Sequence, residues 1–158
     1  MGASYWRVTV PLESTVEHAF DEARQDVFRT KDYVGASSDH KSIEEAVEAA
    51  EAEGTHSILD LERVLVGEPP PANVSPEQQL LIAAGMASGE LHSHKAYEAP
   101  ENVLRDACGA RKPTRAEFDR SEDSVAARLK KRGLGFYVLL HNEPGQPVEV
   151  AFFGWTGD

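Results

Sequence analysis

The chain holds a single cysteine, Cys108, among 158 residues, which rules out an intrachain disulfide and fits a reducing, cytoplasmic compartment. It has no apolar run approaching the roughly 20 residues that a membrane helix requires. The first residues, MGASYWRVTV, lack a basic segment leading into an apolar one, so no secretory signal is expected. Position 6 is Trp6 where an N-myristoylation signal needs Ser or Thr. A Gly-rich phosphate loop, a Walker lysine, zinc-finger spacing and a G-x-S-x-G nucleophile elbow are all missing, which disfavours nucleotide hydrolysis and serine-hydrolase chemistry. Internal repeats and low-complexity tracts are also lacking.

Bases are short as well: Lys and Arg total 16 against 27 Asp and Glu, a formal charge of −11. Such a chain is not a generic nucleic-acid binder, because it cannot displace phosphate counterions over a broad basic surface. The imbalance is uneven. Between Glu13 and Glu62 acids dominate, with Glu44, Glu45, Glu48, Glu51 and Glu53 packed into one short stretch; between Arg105 and Arg132 bases dominate. A dipolar surface of this kind steers a basic protein partner or self-association. Richness in Ala, Glu, Arg and Gly matches a high-GC bacterial coding bias. The apolar content of 41% and the length suit one globular domain over residues 1–158.

Periodicity places the elements. Tyr5–Val10 alternates as a strand that Pro11 ends, and a capping box at Ser14–Glu17 opens a helix to about Thr30. A second box, Ser42–Glu45, starts a short acidic helix that Gly54 stops. Ser57–Val66 reads as a second strand. After the connector Gly67–Val74, a cap at Ser75–Gln78 starts a helix to about Ala87, and Ser88–Ala99 reads as a loop. Pro100 starts a helix closed by Gly109, and Thr114–Glu117 opens one to about Lys131. Gly133–Trp155 reads as two strands joined by a turn at Glu143–Gln146, apolar on both faces and therefore covered on both. The expected architecture is α+β: a mainly antiparallel sheet of about four strands, helices packed on one face, and the C-terminal hairpin central.

Four groups of residues carry candidate chemistry. His92 and His94, two apart, project to one side of an extended segment, and Glu90 nearby would complete a divalent-metal site, although the spacing matches no helical motif. No other cofactor is indicated. Asp60 and Glu62 would share one strand face, about 7 Å apart, as an acid–base pair next to His56. Arg7 and Glu149 are charged residues in otherwise apolar strands, and would meet as an ion pair or flank a cleft. A strand arginine with a strand glutamate loosely resembles ADP-ribosyltransferase sites, but the motif between them is missing here, so the resemblance implies no activity. The readings that follow are a non-catalytic partner-binding or regulatory module, or a small enzyme working by acid–base or metal-assisted chemistry in a cleft beside the sheet.

Overall fold

A computed structural model describes residues 5–33, 39–53, 57–67, 94–130 and 134–155, with the side chains of 50–53 left aside. The predicted cap and helix at 75–87, together with His56, Glu90 and His92, fall outside the described residues.

The elements follow as β1 (Tyr5–Pro11), α1 (Val16–Thr30), α2 (Ile43–Glu53), a single 3-10 turn (Ile58–Asp60), β2 (Arg63–Leu65), β3 (Lys95–Glu98), α3 (Glu101–Cys108), α4 (Arg115–Arg128), β4 (Leu134–His141) and β5 (Pro147–Trp155). The described strands form one sheet in the order β1-β5-β4-β3-β2. The α+β class holds, but the sheet is mixed rather than mainly antiparallel and has five strands rather than about four. β5 pairs antiparallel with both β1 and β4, whereas β2·β3 and β3·β4 are parallel. Every strand except β5 therefore runs in the same direction.

The hairpin lies inside this sheet, with β4 as the middle strand. Its alternation sorts two cores. Tyr137, Val150 and Phe152 face α1 and α2, joining Val16, Phe20, Ala23 and Val27. Phe136, Val138, Leu140, Ala151 and Phe153 face the other way, against Leu104 of α3 and Phe118 and Val125 of α4. Helices thus cover both faces, not one as the element order suggested. Five aromatic rings at the hairpin and α4, those of Phe118, Phe136, Tyr137, Phe152 and Phe153, are among the largest fully buried side chains of the described residues.

Two glycines permit close approach across the sheet. Gly135 and Gly154 are register partners, and Trp6 pairs with Gly154 on the other side. A Cβ at Gly154 would stand 2.6 Å from the Trp6 ring, and one at Gly135 2.4 Å from Leu61. The missing side chains make the space that Trp6 and Leu61 fill.

The helix starts are set by capping. Thr114 accepts from Glu117 N at 3.3 Å while Glu117 returns to Thr114 N at 2.8 Å, the expected box. At α1 the cap falls one residue later than expected, on Thr15, which accepts from His18 N. At α2 Ser42 accepts from Glu45 N, and the Glu45 carboxylate reaches Lys41 N rather than Ser42 N. The hairpin turn closes with Gly145 N donating to Asn142 O at 2.9 Å and Gly145 at φ 84°, one residue before the expected turn.

Candidate functional site

The reading of Ser57–Val66 as one strand fails in its first half. Ser57 Oγ accepts from Leu59 N, and the Asp60 carboxylate accepts from Ser57 N at 2.8 Å, a capping box that winds Ile58–Asp60 into a 3-10 turn. Side-chain oxygens at both ends of a four-residue span offer the backbone local partners, and these win over sheet pairing until Arg63. Asp60 is consequently buried, at 7% exposure, while Glu62 is exposed. The two do not share a strand face.

Arg24 of α1 fixes this turn from the side. Its guanidinium donates to Leu59 O at 2.9 Å and lies 5.7 Å from the Phe20 ring centroid. Burial pulls the Arg24 pKa down, and the charges of Asp21, Glu44 and Asp60 oppose that effect.

Next to the turn a shallow cleft of about 10 Å³, room for the centre of a single water, is lined by Trp6, Ser57, Asp60, Leu61, His94, Leu134 and Trp155. It lies where β1, β3 and β4 begin and β5 ends. His94 occupies the left-handed region at φ 63°, unusual for a residue other than glycine, and its carbonyl accepts from Glu62 N at 2.8 Å. That bond ties the start of β3 to the start of β2. Of the sequence candidates the structure therefore brings Asp60 and His94 to one cleft, with Ser57 beside them. Among the described residues no three His, Cys, Asp or Glu side chains gather to hold a metal ion. Cys108 is half-buried, and burial pushes its thiol pKa up, as for a small core residue.

Arg7 and Glu149 do not meet. They are on adjacent strands and the same face, but Arg7 is opposite Phe153 and Glu149 opposite Pro11, four residues or about 13 Å along the strand. Helix α4 joins them instead. Glu149 pairs with Arg115 at 2.7 Å, Arg115 with Asp119 at 3.4 Å, Asp119 with Arg7 at 2.6 Å, and Arg7 with Glu122 at 2.5 Å. Tyr5 closes the series, its hydroxyl donating to the second oxygen of Glu122 at 2.7 Å. Arg7 also donates from Nε to Thr9 and lies 5.0 Å from the Phe118 ring centroid. Burial, followed by the Glu122 hydrogen bond, pushes the Tyr5 pKa up beyond its ordinary range. For Arg7 burial pulls the pKa down, yet hydrogen bonds and charge from Asp119 and Glu122 outweigh it and the net shift is upward.

This network was invisible from Arg7 alone. The available signal was on α4: Asp119 and Glu122 are three apart and flank the buried Phe118, so both fall on the edge of the face that packs on the sheet. The arrangement can hold α4 against β1. The network residues and the cleft residues draw on different elements, apart from their shared use of β1 and β5.

No protein-family model matches the chain, and no curated protein or solved structure matches it. Among the described residues no helix is long and apolar enough to cross a membrane.

Proposed function

We propose that the chain is a non-catalytic partner-binding module whose field attracts a basic protein. The observation that carries this reading is how the fold separates charge. Among the described residues, 13–48 hold ten acidic residues against four basic ones, and 101–130 hold six against seven. Helices α1 and α2 cover one face of the sheet and α3 and α4 the other, so the sequence asymmetry becomes a difference between two sides. Glu17, Asp21, Glu22, Glu44, Glu45 and Glu48 are exposed on the first side. Like charges gathered on one surface raise the encounter rate of an oppositely charged partner, and salt screens that attraction over about 8 Å at 0.15 M.

The test is fluorescence anisotropy with a labelled oligolysine peptide at 50 and 300 mM salt. Capture that weakens with salt, and weakens again in a Glu44→Lys/Glu45→Lys/Glu48→Lys variant, is the expected result. Binding indifferent to both would overturn the reading.

A second reading, a small enzyme, draws on the cleft that gathers Ser57, Asp60 and His94. Asp60 already serves the capping box, which favours a structural role for it. Equilibrium dialysis against zinc and manganese separates the readings: stoichiometric uptake that His94→Ala removes would favour the enzyme.

A further inference from the structure

We infer that the outer edge of β1 is a docking site for an extended partner segment of alternating apolar and basic residues, which joins the sheet beyond β1. The inference rests on the partner-binding reading and says where and how the partner is held.

The hydrogen-bond phase of β1 comes from its end. Leu12 N donates to Val148 O at 2.9 Å, which continues the β1·β5 register past Pro11. In an antiparallel pair, positions that exchange hydrogen bonds alternate with positions that do not. Leu12, Val10, Val8 and Trp6 are therefore bonded to β5, and the N–H and C=O groups of Tyr5, Arg7 and Thr9 point away from it. Pro11 falls in the outward phase, where its missing N–H costs no ladder bond. Among the described residues no strand pairs with this outward side, β1 being the end of the sheet order.

Edge strands are normally protected by shortness, bulges, prolines or outward charges. The opposite edge, β2, is protected by length, with three residues. β1 has seven residues, and its register with β5 is unbroken from Tyr5 to Pro11. Its only charged residue is Arg7, and that guanidinium is drawn across the sheet face to Asp119 and Glu122 instead of guarding the edge. Only Pro11 blocks anything, and only at one end.

Side chains specify the occupant. An added strand would have Trp6 and Val8 as neighbours on the α1–α2 side, both half-buried and packed against the core. On the α4 side its neighbours would be Tyr5, Arg7 and Thr9, with Asp119 and Asp123 exposed beyond them and Glu122 half-buried. Asp123 is close enough to act on the Tyr5 hydroxyl. Asp119 and Glu122 pair with Arg7, Arg115 is shared between Asp119 and Glu149, and Lys130 lies over the Trp155 ring beside Tyr5, so with Asp123 four carboxylates stand against three cations and that side keeps a small acidic excess. Apolar residues toward one face and lysine or arginine toward the other satisfy both sets of neighbours, and backbone pairing supplies the affinity.

The experiment uses a fluorescein-labelled heptapeptide alternating valine and lysine, and two isomers N-methylated at either the lysine or the valine amides. The parent should bind the wild-type protein, and at least one isomer should lose about ten-fold or more, since one set of amides must face β1. Thr9→Pro removes an outward N–H together with the hydroxyl that accepts from Arg7 Nε, so it is read against Thr9→Ala, which removes the hydroxyl alone: only Thr9→Pro should weaken the parent peptide comparably while the protein stays folded. Hydrogen exchange gives a readout without any variant: peptide should slow the amides of Arg7 and Thr9 and leave Val8 and Val10 unchanged. Equal binding by the parent and both isomers, with no slowing at Arg7 and Thr9, would overturn the edge site while the partner-binding reading survives. Failure of every lysine peptide, oligolysine included, to bind at 50 mM salt would overturn both. A dimer that dissociates on dilution and is abolished by Thr9→Pro, with no peptide binding, would assign the edge to a second copy and overturn the inference.

Discussion

Replacing Arg7 tests whether the charged series between β1 and α4 is a coupled unit. Arg7→Met keeps much of the side-chain volume and removes the guanidinium. The losses are unequal. Asp119 is 45% exposed, so its arm contributes about 0.2–1 kcal/mol after solvent screening. Glu122 is 21% exposed and bonded to Arg7, whose own side chain is 17% exposed, so its arm contributes about 1.5–2 kcal/mol. The guanidinium over Phe118 adds about 0.5–1 kcal/mol. Against this, the released side chain regains entropy and the desolvation of a cation is relieved, together about 1–2 kcal/mol. A net destabilisation of about 0.2–3 kcal/mol follows, measured by urea unfolding with a common m-value. The sharper expectation concerns Glu122→Gln, which removes the charge but keeps an oxygen for the Tyr5 hydroxyl. In the wild-type chain it should destabilise, because Arg7 loses its closest partner. In the Arg7→Met background it should stabilise, by about 0.5–1 kcal/mol, because it removes a half-buried carboxylate left without its cation. If Glu122→Gln costs the same in both backgrounds, the two residues are not coupled, and the Arg7–Glu122 contact does not hold α4 to β1.

Three further predictions use other parts of the fold. Gly154→Ala should cost about 1–3 kcal/mol, more than Gly135→Ala, since its Cβ would meet a tryptophan ring and the Leu134 carbonyl whereas Gly135 meets the end of a leucine; thermal melts of both variants give the order. Tyr5 and Tyr137 both have raised pKa values, for which burial is the leading cause. Each stays neutral in the folded chain while the unfolded chain ionises near pH 10. Stability is therefore fully present below that pH and falls above it by up to about 1.4 kcal/mol per pH unit for each tyrosine, a slope that Tyr5→Phe should reduce in urea melts between pH 9 and 11. Thr114→Ala removes the cap of α4 and should cost about 1 kcal/mol, whereas Ser14→Ala should cost almost nothing, because the α1 cap is Thr15; paired urea melts decide it.

The hairpin was legible because its pattern is carried by consecutive residues: each strand is apolar in both phases, which only a covered strand tolerates, and the structure puts a helix pair on each side. Of the capping boxes, Thr114–Glu117 was legible in full; at Ser42 only the serine half forms, at α1 the cap moves to Thr15, and Ser75–Gln78 lies outside the described residues. What failed was non-local. β3 is four residues, Lys95–Glu98, too short to show a period, and its place in the sheet comes from parallel neighbours β2 and β4 that are distant in sequence. Strand direction was equally hidden, since it depends on how the connections cross the sheet. At Ser57–Val66 the apolar alternation is real but is outweighed by the Ser57–Asp60 box, a local signal that competes with periodicity over the same residues. The candidate site was legible in part: His94 and Asp60 share a cleft, while the partners of Arg7 and Glu149 depend on how α4 lies over β1.

That dependence links the two charge systems. An arginine in the outward phase of an edge strand is a natural guard against pairing, yet here α4 holds it by two carboxylates and a phenyl ring. Docking α4 and drawing Arg7 away from a β1 edge that no described strand pairs are thus consequences of one set of contacts. Loss of Asp119 and Glu122 would release Arg7 toward the edge as well as loosen α4. The acidic layer of α1 and α2 lies on the opposite face and takes no part in that holding, so its charges can be altered without disturbing the edge. If the proposed partner binds as inferred, steering and docking separate: reversal of Glu44, Glu45 and Glu48 should act on the rate of association, and Thr9→Pro on the rate of dissociation.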